Sequence, residues 1–101
     1  MGSGAQRVAT GVIRGTGADL DIHKVGFRPG TVEVWNVAAG GLVKGYWQDT
    51  MPDDSMFKTA IDGTNTFPTS NGITPLADGF SLGADTDMNV SGETVHYRCT
   101  D

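Results

Sequence analysis

The run Thr94 to Thr100, T-V-H-Y-R-C-T, most constrains the fold. Val95, Tyr97 and Cys99 alternate with Thr94, His96, Arg98 and Thr100. A period of two in β-branched and aromatic residues is the pattern of a half-buried strand, with the first set facing a core. Just upstream, Phe80 and Leu82 share one face of a short strand bounded by Gly79 and Gly83, and Asp85 to Gly92 is turn chemistry. The last quarter therefore reads as two strands around a polar loop. Its final strand is expected to close a sheet that the preceding residues have already built.

The same period recurs upstream. Arg7 to Arg14 alternates loosely and predicts a first strand. Asp19 to His23 predicts a short second one, with Leu20 and Ile22 on its apolar side. Gly26-Phe27-Arg28-Pro29-Gly30 is a turn, because Pro29 fixes φ and Gly30 supplies a permissive position. Thr31 to Val37 is the clearest strand of the first half. Val32 and Val34 lie on one face, and Thr31, Glu33, Trp35 and Val37 on the other. Apolar residues on both faces predict a central strand covered on two sides. Leu42 to Gln48 is its expected hairpin partner across a loop at 38–41. Met56 to Ile61 reads as a weak strand, and Asp62 to Pro75 as a long loop, the kind that is functional or ordered by a partner.

No stretch sustains a helical period, and six to eight short strands predict an all-β domain. Its expected form is an antiparallel β-sandwich, jelly-roll-like, over residues 8–101 with a flexible N-terminal arm at 1–7. The chain has 101 residues, one domain by length, and 15 glycines that fit a turn-rich fold. It reads as complete from Met1 to Asp101.

Charge excludes some partners. The net charge is −5, and the seven Lys and Arg are scattered. Nucleic-acid binding needs clustered cations, so no nucleic-acid partner is expected. Residues 1–7 lack the apolar core of a signal peptide, and no apolar run approaches the roughly 18 residues that span a bilayer, so no membrane partner is expected.

No catalytic or cofactor-binding set is legible. Cys99 has no second cysteine to bond and lies on the predicted inward face, where it reads as a small buried hydrophobe. Cys99 and His96 are three apart on a strand and point to opposite faces, which rules out a catalytic pair. His23 and His96 read as solvated strand residues, with no local pattern for zinc. Asp85-Thr86-Asp87-Met88-Asn89 has the D-x-D-x-N spacing of a calcium loop. However, Val90 stands where the loop needs Gly, and the closing Glu is missing, so local side-chain-to-backbone bonds are the preferred reading and no metal is expected.

One run reads as a contact surface. Tyr46 and Trp47 are adjacent, so strand geometry sends one of them inward. The other, with Met51 and Met56 beside the acidic loop of Asp53 and Asp54, has the residue types enriched in protein–protein interfaces. Arg7 of the arm and Phe67 of the long loop complete the candidate set.

The order of letters also resembles a family. Gly26-Phe27-x-Pro29-x-x-Val32-x-Val34-x-Asn36 leads to Trp47, Met51 and Phe57-Lys58-Thr59, and then to Asn71-Gly72-Ile73. Gly79-Phe80-x-Leu82-Gly83-x-Asp85 and Asn89-x-Ser91-Gly92-Glu93-Thr94-x-x-Tyr97 follow. Together they resemble small structural proteins of tailed bacteriophages, over roughly residues 10–100. The resemblance implies a virion component made in the host bacterial cytoplasm, a non-enzymatic capsid decoration (cement) protein. Its implied partners are the major capsid protein at the outer shell and itself, with a homotrimer favoured. The alternative it leaves open is a tail or fibre domain that binds host surface glycan through an exposed Trp47 and the 62–75 loop. A small hydrolase on the same fold has little to support it.

Overall fold

The computed structural model describes residues 6–38 and 42–101. Among these are nine strands and no helix. They are β1 (Val8–Arg14), β2 (Leu20–Ile22), β3 (Thr31–Asn36), β4 (Val43–Gln48), β5 (Phe57–Thr59), β6 (Asn65–Thr66), β7 (Ile73–Leu76), β8 (Gly79–Leu82) and β9 (Thr94–Thr100). They form two antiparallel sheets. One has six strands in the order β1-β9-β3-β4-β5-β6, the other three in the order β2-β8-β7.

The expected final strand matches β9 residue for residue. It does close the larger sheet, but from inside, entering between β1 and β3. This placement explains its strict alternation, since a strand paired on both sides with one face on the core has no freedom to slip register. Val95, Tyr97 and Cys99 all face the core. Phe80 from the smaller sheet meets Tyr97 edge to face, with ring centroids 5.5 Å apart and planes at 70°. That geometry is worth about 1 kcal/mol beyond the buried area. Residues from both sheets thus share one core: Val32, Val34 and Trp47 from the larger, Ile22, Ile73, Phe80 and Leu82 from the smaller, with Met56 and Met88 between elements.

Close approach of the strands depends on glycine at two positions. A Cβ on Gly79 would lie 1.7 Å from the carbonyl oxygen of Ile22, and one on Gly11 would lie 2.5 Å from the Tyr97 hydroxyl. Gly79 lets β8 press against the end of β2, and Gly11 leaves β1 flat beneath the Tyr97 ring.

Three expectations are corrected. The long loop at 62–75 contains β6 and the first part of β7. Pro75 suggests a break, but β7 is an edge strand. Its ladder bonds to β8 run through even-numbered residues, as Gly83 N–H donating to the Gly72 carbonyl shows (2.8 Å), so the missing Pro75 N–H falls on the open side. The weak strand at 56–61 shrinks to Phe57–Thr59. Finally, β3 is central in its sheet but is covered on one face only: Val32 and Val34 are fully buried, whereas Trp35 on the other face is half-buried.

Of the expected arm, residues 1–5 lie outside the described residues, as do 39–41 of the expected loop at 38–41. Gln6 and Arg7 are tied to the end of β9. The Arg7 N–H and Nε donate to the Asp101 carboxylate (2.9 and 2.5 Å), and the guanidinium sits 4.9 Å from the Phe27 ring centroid.

Candidate functional site

The strand register lays out the uncovered face of the six-stranded sheet. One row runs Val12, His96, Trp35, Lys44, Thr59 across β1, β9, β3, β4 and β5. The next runs Thr10, Arg98, Glu33, Tyr46, Phe57 across the same strands. At the usual inter-strand spacing each row is about 19 Å long. Val12 is 53% exposed and Phe57 48%, and the rings of Trp35 and Tyr46 are half-buried between them.

The charges on this face are arranged around Glu33. Its carboxylate takes Lys44 Nζ at 3.7 Å and Arg98 at 3.4 Å, and the Lys44 ammonium lies 6.0 Å from the Trp35 ring centroid. Arg14 stands on the same face and donates to the Gly92 carbonyl. Three cations against the one carboxylate give this face a local balance of +2, on a chain whose net charge is −5. The face is aromatic and mildly cationic, while the chain's acid groups lie elsewhere apart from Glu33.

The sequence-derived contact residues do not gather into one surface. Tyr46 is on the outer face, its hydroxyl donating to Gln48 Oε1 (2.9 Å). Trp47 points the other way and is 1% exposed, its indole N–H donating to the Pro52 carbonyl at 3.1 Å. Met56 is fully buried, and Met51 packs against the core with its sulfur accepting from the Gln48 N–H. Trp47 and Met56 therefore cannot meet a partner, and a glycan cannot stack on Trp47, because strand alternation and core packing claim both side chains. Asp53 and Asp54 are exposed in the β4–β5 connection, Asp54 with φ 68°. Phe67 is 50% exposed, and Arg7 is held by Asp101.

Sequence reasoning missed Trp35, Phe57, Val12 and Lys44. The signal was the alternation itself: Trp35 shares its face with Glu33, and that polar neighbour marks a wet face.

The D-x-D-x-N segment is a polar clamp. Asp85 Oδ1 accepts the backbone N–H of Asp87 and of Met88, both at 2.9 Å. Lys58 reaches from β5 to both Asp85 oxygens (3.0 and 3.1 Å) and to Asp87 Oδ2 (2.7 Å). Burial pushes the Lys58 ammonium down, but the hydrogen bonds to Asp87 and Asp85 and their charges outweigh it, and its pKa is raised. An ammonium thus stands where a hard cation would bind. Asn89 is buried: its Oδ1 accepts from Thr16 N–H (2.8 Å), and its Nδ2 donates to the carbonyls of Ala18 (2.6 Å) and Gly83 (3.0 Å). Asn36, also buried, donates to the Asp87 carbonyl and to Glu93 Oε1, both at 2.9 Å. Together they lock the β8–β9 loop to β3, β5 and the β1–β2 turn.

The two histidines belong to different surfaces. His23 is exposed beside Asp78, Nδ1 to Oδ1 at 2.8 Å, and that hydrogen bond raises its pKa. His96 lies in the outer-face row. Burial pushes the Cys99 thiol up to about 12, so it is not a nucleophile at neutral pH. Among the described residues no group of three or more His, Cys, Asp or Glu could hold a metal ion. No family model matches the chain, and neither does any curated protein or solved structure.

Proposed function

We propose that this is a non-enzymatic structural protein that docks through the outer face of its six-stranded sheet onto an acidic, partly apolar protein surface. The observation that carries this reading is the asymmetry of the sheet. One face forms the core. The other displays Val12, Trp35, Tyr46 and Phe57 with a local excess of positive charge, on a chain that is otherwise acidic. Aromatic groups ringed by cations and free of unpaired acids suit a protein partner of opposite charge.

The resemblance of the letters to small bacteriophage structural proteins supports a virion as the setting and the major capsid protein as the partner, with the jelly-roll-like sandwich as the finer form of the fold. A decoration protein of this kind acts by mass action. It binds the assembled shell and not the free subunits, and so stabilises the shell. Repetition over a symmetric lattice multiplies a modest single contact.

The test is co-sedimentation with empty shells assembled from the major capsid protein proposed as its partner. The native protein should saturate the shells at a fixed stoichiometry. Phe57→Ala and Lys44→Glu, both at exposed positions, should lose binding at least tenfold while keeping the native circular dichroism spectrum. Asp53→Asn with Asp54→Asn should bind as the native protein does. Shells that take up no protein, or variants that bind unchanged, would refute the reading.

A further inference from the structure

The two edges of the six-stranded sheet are unlike. At one end β6 is two residues long, with Pro68 two positions beyond it, a short edge that offers little to pair with. At the other end β1 runs seven residues without proline, lysine or a bulge. Its pairing with β9 uses the odd-numbered residues: Gly15 N–H donates to the Glu93 carbonyl (2.8 Å), and Asp101 N–H to the Arg7 carbonyl (3.2 Å). In an antiparallel ladder such pairs alternate, so the N–H and C=O groups of Val8, Thr10, Val12 and Arg14 point away from β9. Among the described residues no strand pairs with them. The side chains of the same four residues stand on the outer face, with Val8 51% and Val12 53% exposed. The edge is also accessible from beneath, because a groove of about 330 Å3 lined by Ile13, Leu20 and Asp21 separates β1 from β2.

We propose that the protein dimerises by antiparallel pairing of β1 with β1 of a second copy, about a two-fold axis at Thr10. The edge is complementary to itself in this register. Val8 of one copy lies opposite Val12 of the other, Thr10 opposite Thr10, and Arg14 opposite Gln6. The two exposed valines become apolar cross-strand pairs, the central pair is threonine with threonine, and no like charges face each other. The free backbone groups of Val8, Thr10 and Val12 then bond in reciprocal pairs, which satisfies an edge that no strand among the described residues pairs with. A two-fold axis perpendicular to the sheet keeps both outer faces on one side, so the dimer presents a doubled surface. The pairing stands whether or not that surface docks on a shell.

Sedimentation equilibrium of the full chain tests this. The native protein should show a concentration-dependent dimer. Thr10→Pro removes an N–H that faces away from β9 and has no strand partner among the described residues, so it should sediment as a monomer with an unchanged circular dichroism spectrum. Val8→Lys with Val12→Lys sets like charges opposite each other without touching the backbone, and should also be monomeric. It decides the matter if the proline variant fails to fold. Thr10→Cys should form a disulfide-linked dimer under mild oxidation, because hydrogen-bonded antiparallel partners lie about 5.5 Å apart at Cα, within disulfide range. A native monomer at about 0.5 mM, a native trimer, a dimer that survives the lysine variant, or a native dimer whose Thr10→Cys variant does not cross-link would each overturn the proposal.

Discussion

Replacing Asn89 by alanine should cost stability with no metal involved. Asn89 is 1% exposed and holds three backbone groups at 3.0 Å or less, the Thr16 N–H and the Ala18 and Gly83 carbonyls, with the Leu82 carbonyl further off at 3.4 Å. Truncation removes one bond from each of the three: the Thr16 N–H and the Gly83 carbonyl are left without a side-chain partner, the Ala18 carbonyl keeps the Thr16 hydroxyl (2.9 Å), and a space the size of an amide opens. The Gly83 carbonyl is buried on a core strand connection, and losing its partner costs about 1–3 kcal/mol. Thr16 and Ala18 lie on an exposed turn where water can replace the side chain, so each loses about 0.5–1.5 kcal/mol, the net value of a hydrogen bond. Together these give about 2–6 kcal/mol, with about 4 as the central expectation. That is a large share of the roughly 5–15 kcal/mol that holds a domain of this kind together. At about 4–8 °C per kcal/mol for a chain near this length, the melting temperature should fall by about 16–32 °C. Urea unfolding followed by tryptophan fluorescence measures the loss, because Trp47 is buried and reports the core. The same titration repeated with millimolar calcium or chelator separates the clamp from a calcium loop. A loss below about 0.5 kcal/mol, or a native stability that rises with calcium in a way Asn89→Ala abolishes, would refute the reasoning.

Two further outcomes follow from the titrating groups. Cys99 is fully buried with its thiol pushed up to about 12, so an aromatic disulfide reagent at neutral pH should leave the folded protein unmodified and react stoichiometrically once urea has unfolded it. The hydrogen bond that His23 donates to the Asp78 carboxylate raises the His23 pKa above its ordinary 6.5. Any stability this pair adds is therefore complete just below 6.5, fades as pH climbs through the raised His23 value, and is lost again in acid as Asp78 protonates at its lowered value. The His23 ring protons followed by NMR should titrate above 6.5, and Asp78→Asn should return them towards it; a midpoint unaffected by that substitution would show that the contact is not made in solution.

The strands were legible where alternation was enforced by pairing on both sides. β9 and β3 carry strict patterns because a neighbour on each side and a core beneath leave one register open. β6 and β7 were not legible. Asn65-Thr66 has no apolar side chain, and Ile73–Leu76 carries Pro75, which looks like a breaker until the strand is known to sit at an edge with that position facing outward. The contact residues failed for a related reason. Richness in Trp, Tyr and Met marks a core as readily as an interface, and only the direction of each side chain separates the two. Tyr46 and Trp47, neighbours in the chain, ended on opposite faces of one sheet.

The polar letters of the β8–β9 loop show why spacing alone did not decide the chemistry. D-x-D-x-N spacing can converge oxygen atoms on a cation; here the Asp85 and Asp87 carboxylates do so, while the Asn89 oxygen turns away to the Thr16 N–H. Which cation arrives depends on a residue far along the chain. Lys58 lies on the inner face of β5 opposite Gly45, and the space a side chain at Gly45 would fill is taken by Met56 and Met88. Enclosed in this way, the Lys58 side chain is 12% exposed and reaches Asp85 and Asp87 together. A buried charge that loses its partner costs about 3–5 kcal/mol, so Asp85 and Lys58 are tied to one another more firmly than either is tied to the surface. The pairing of β4 with β5 delivers that ammonium to the loop, and through it the acidic loop becomes part of the core that β9 closes.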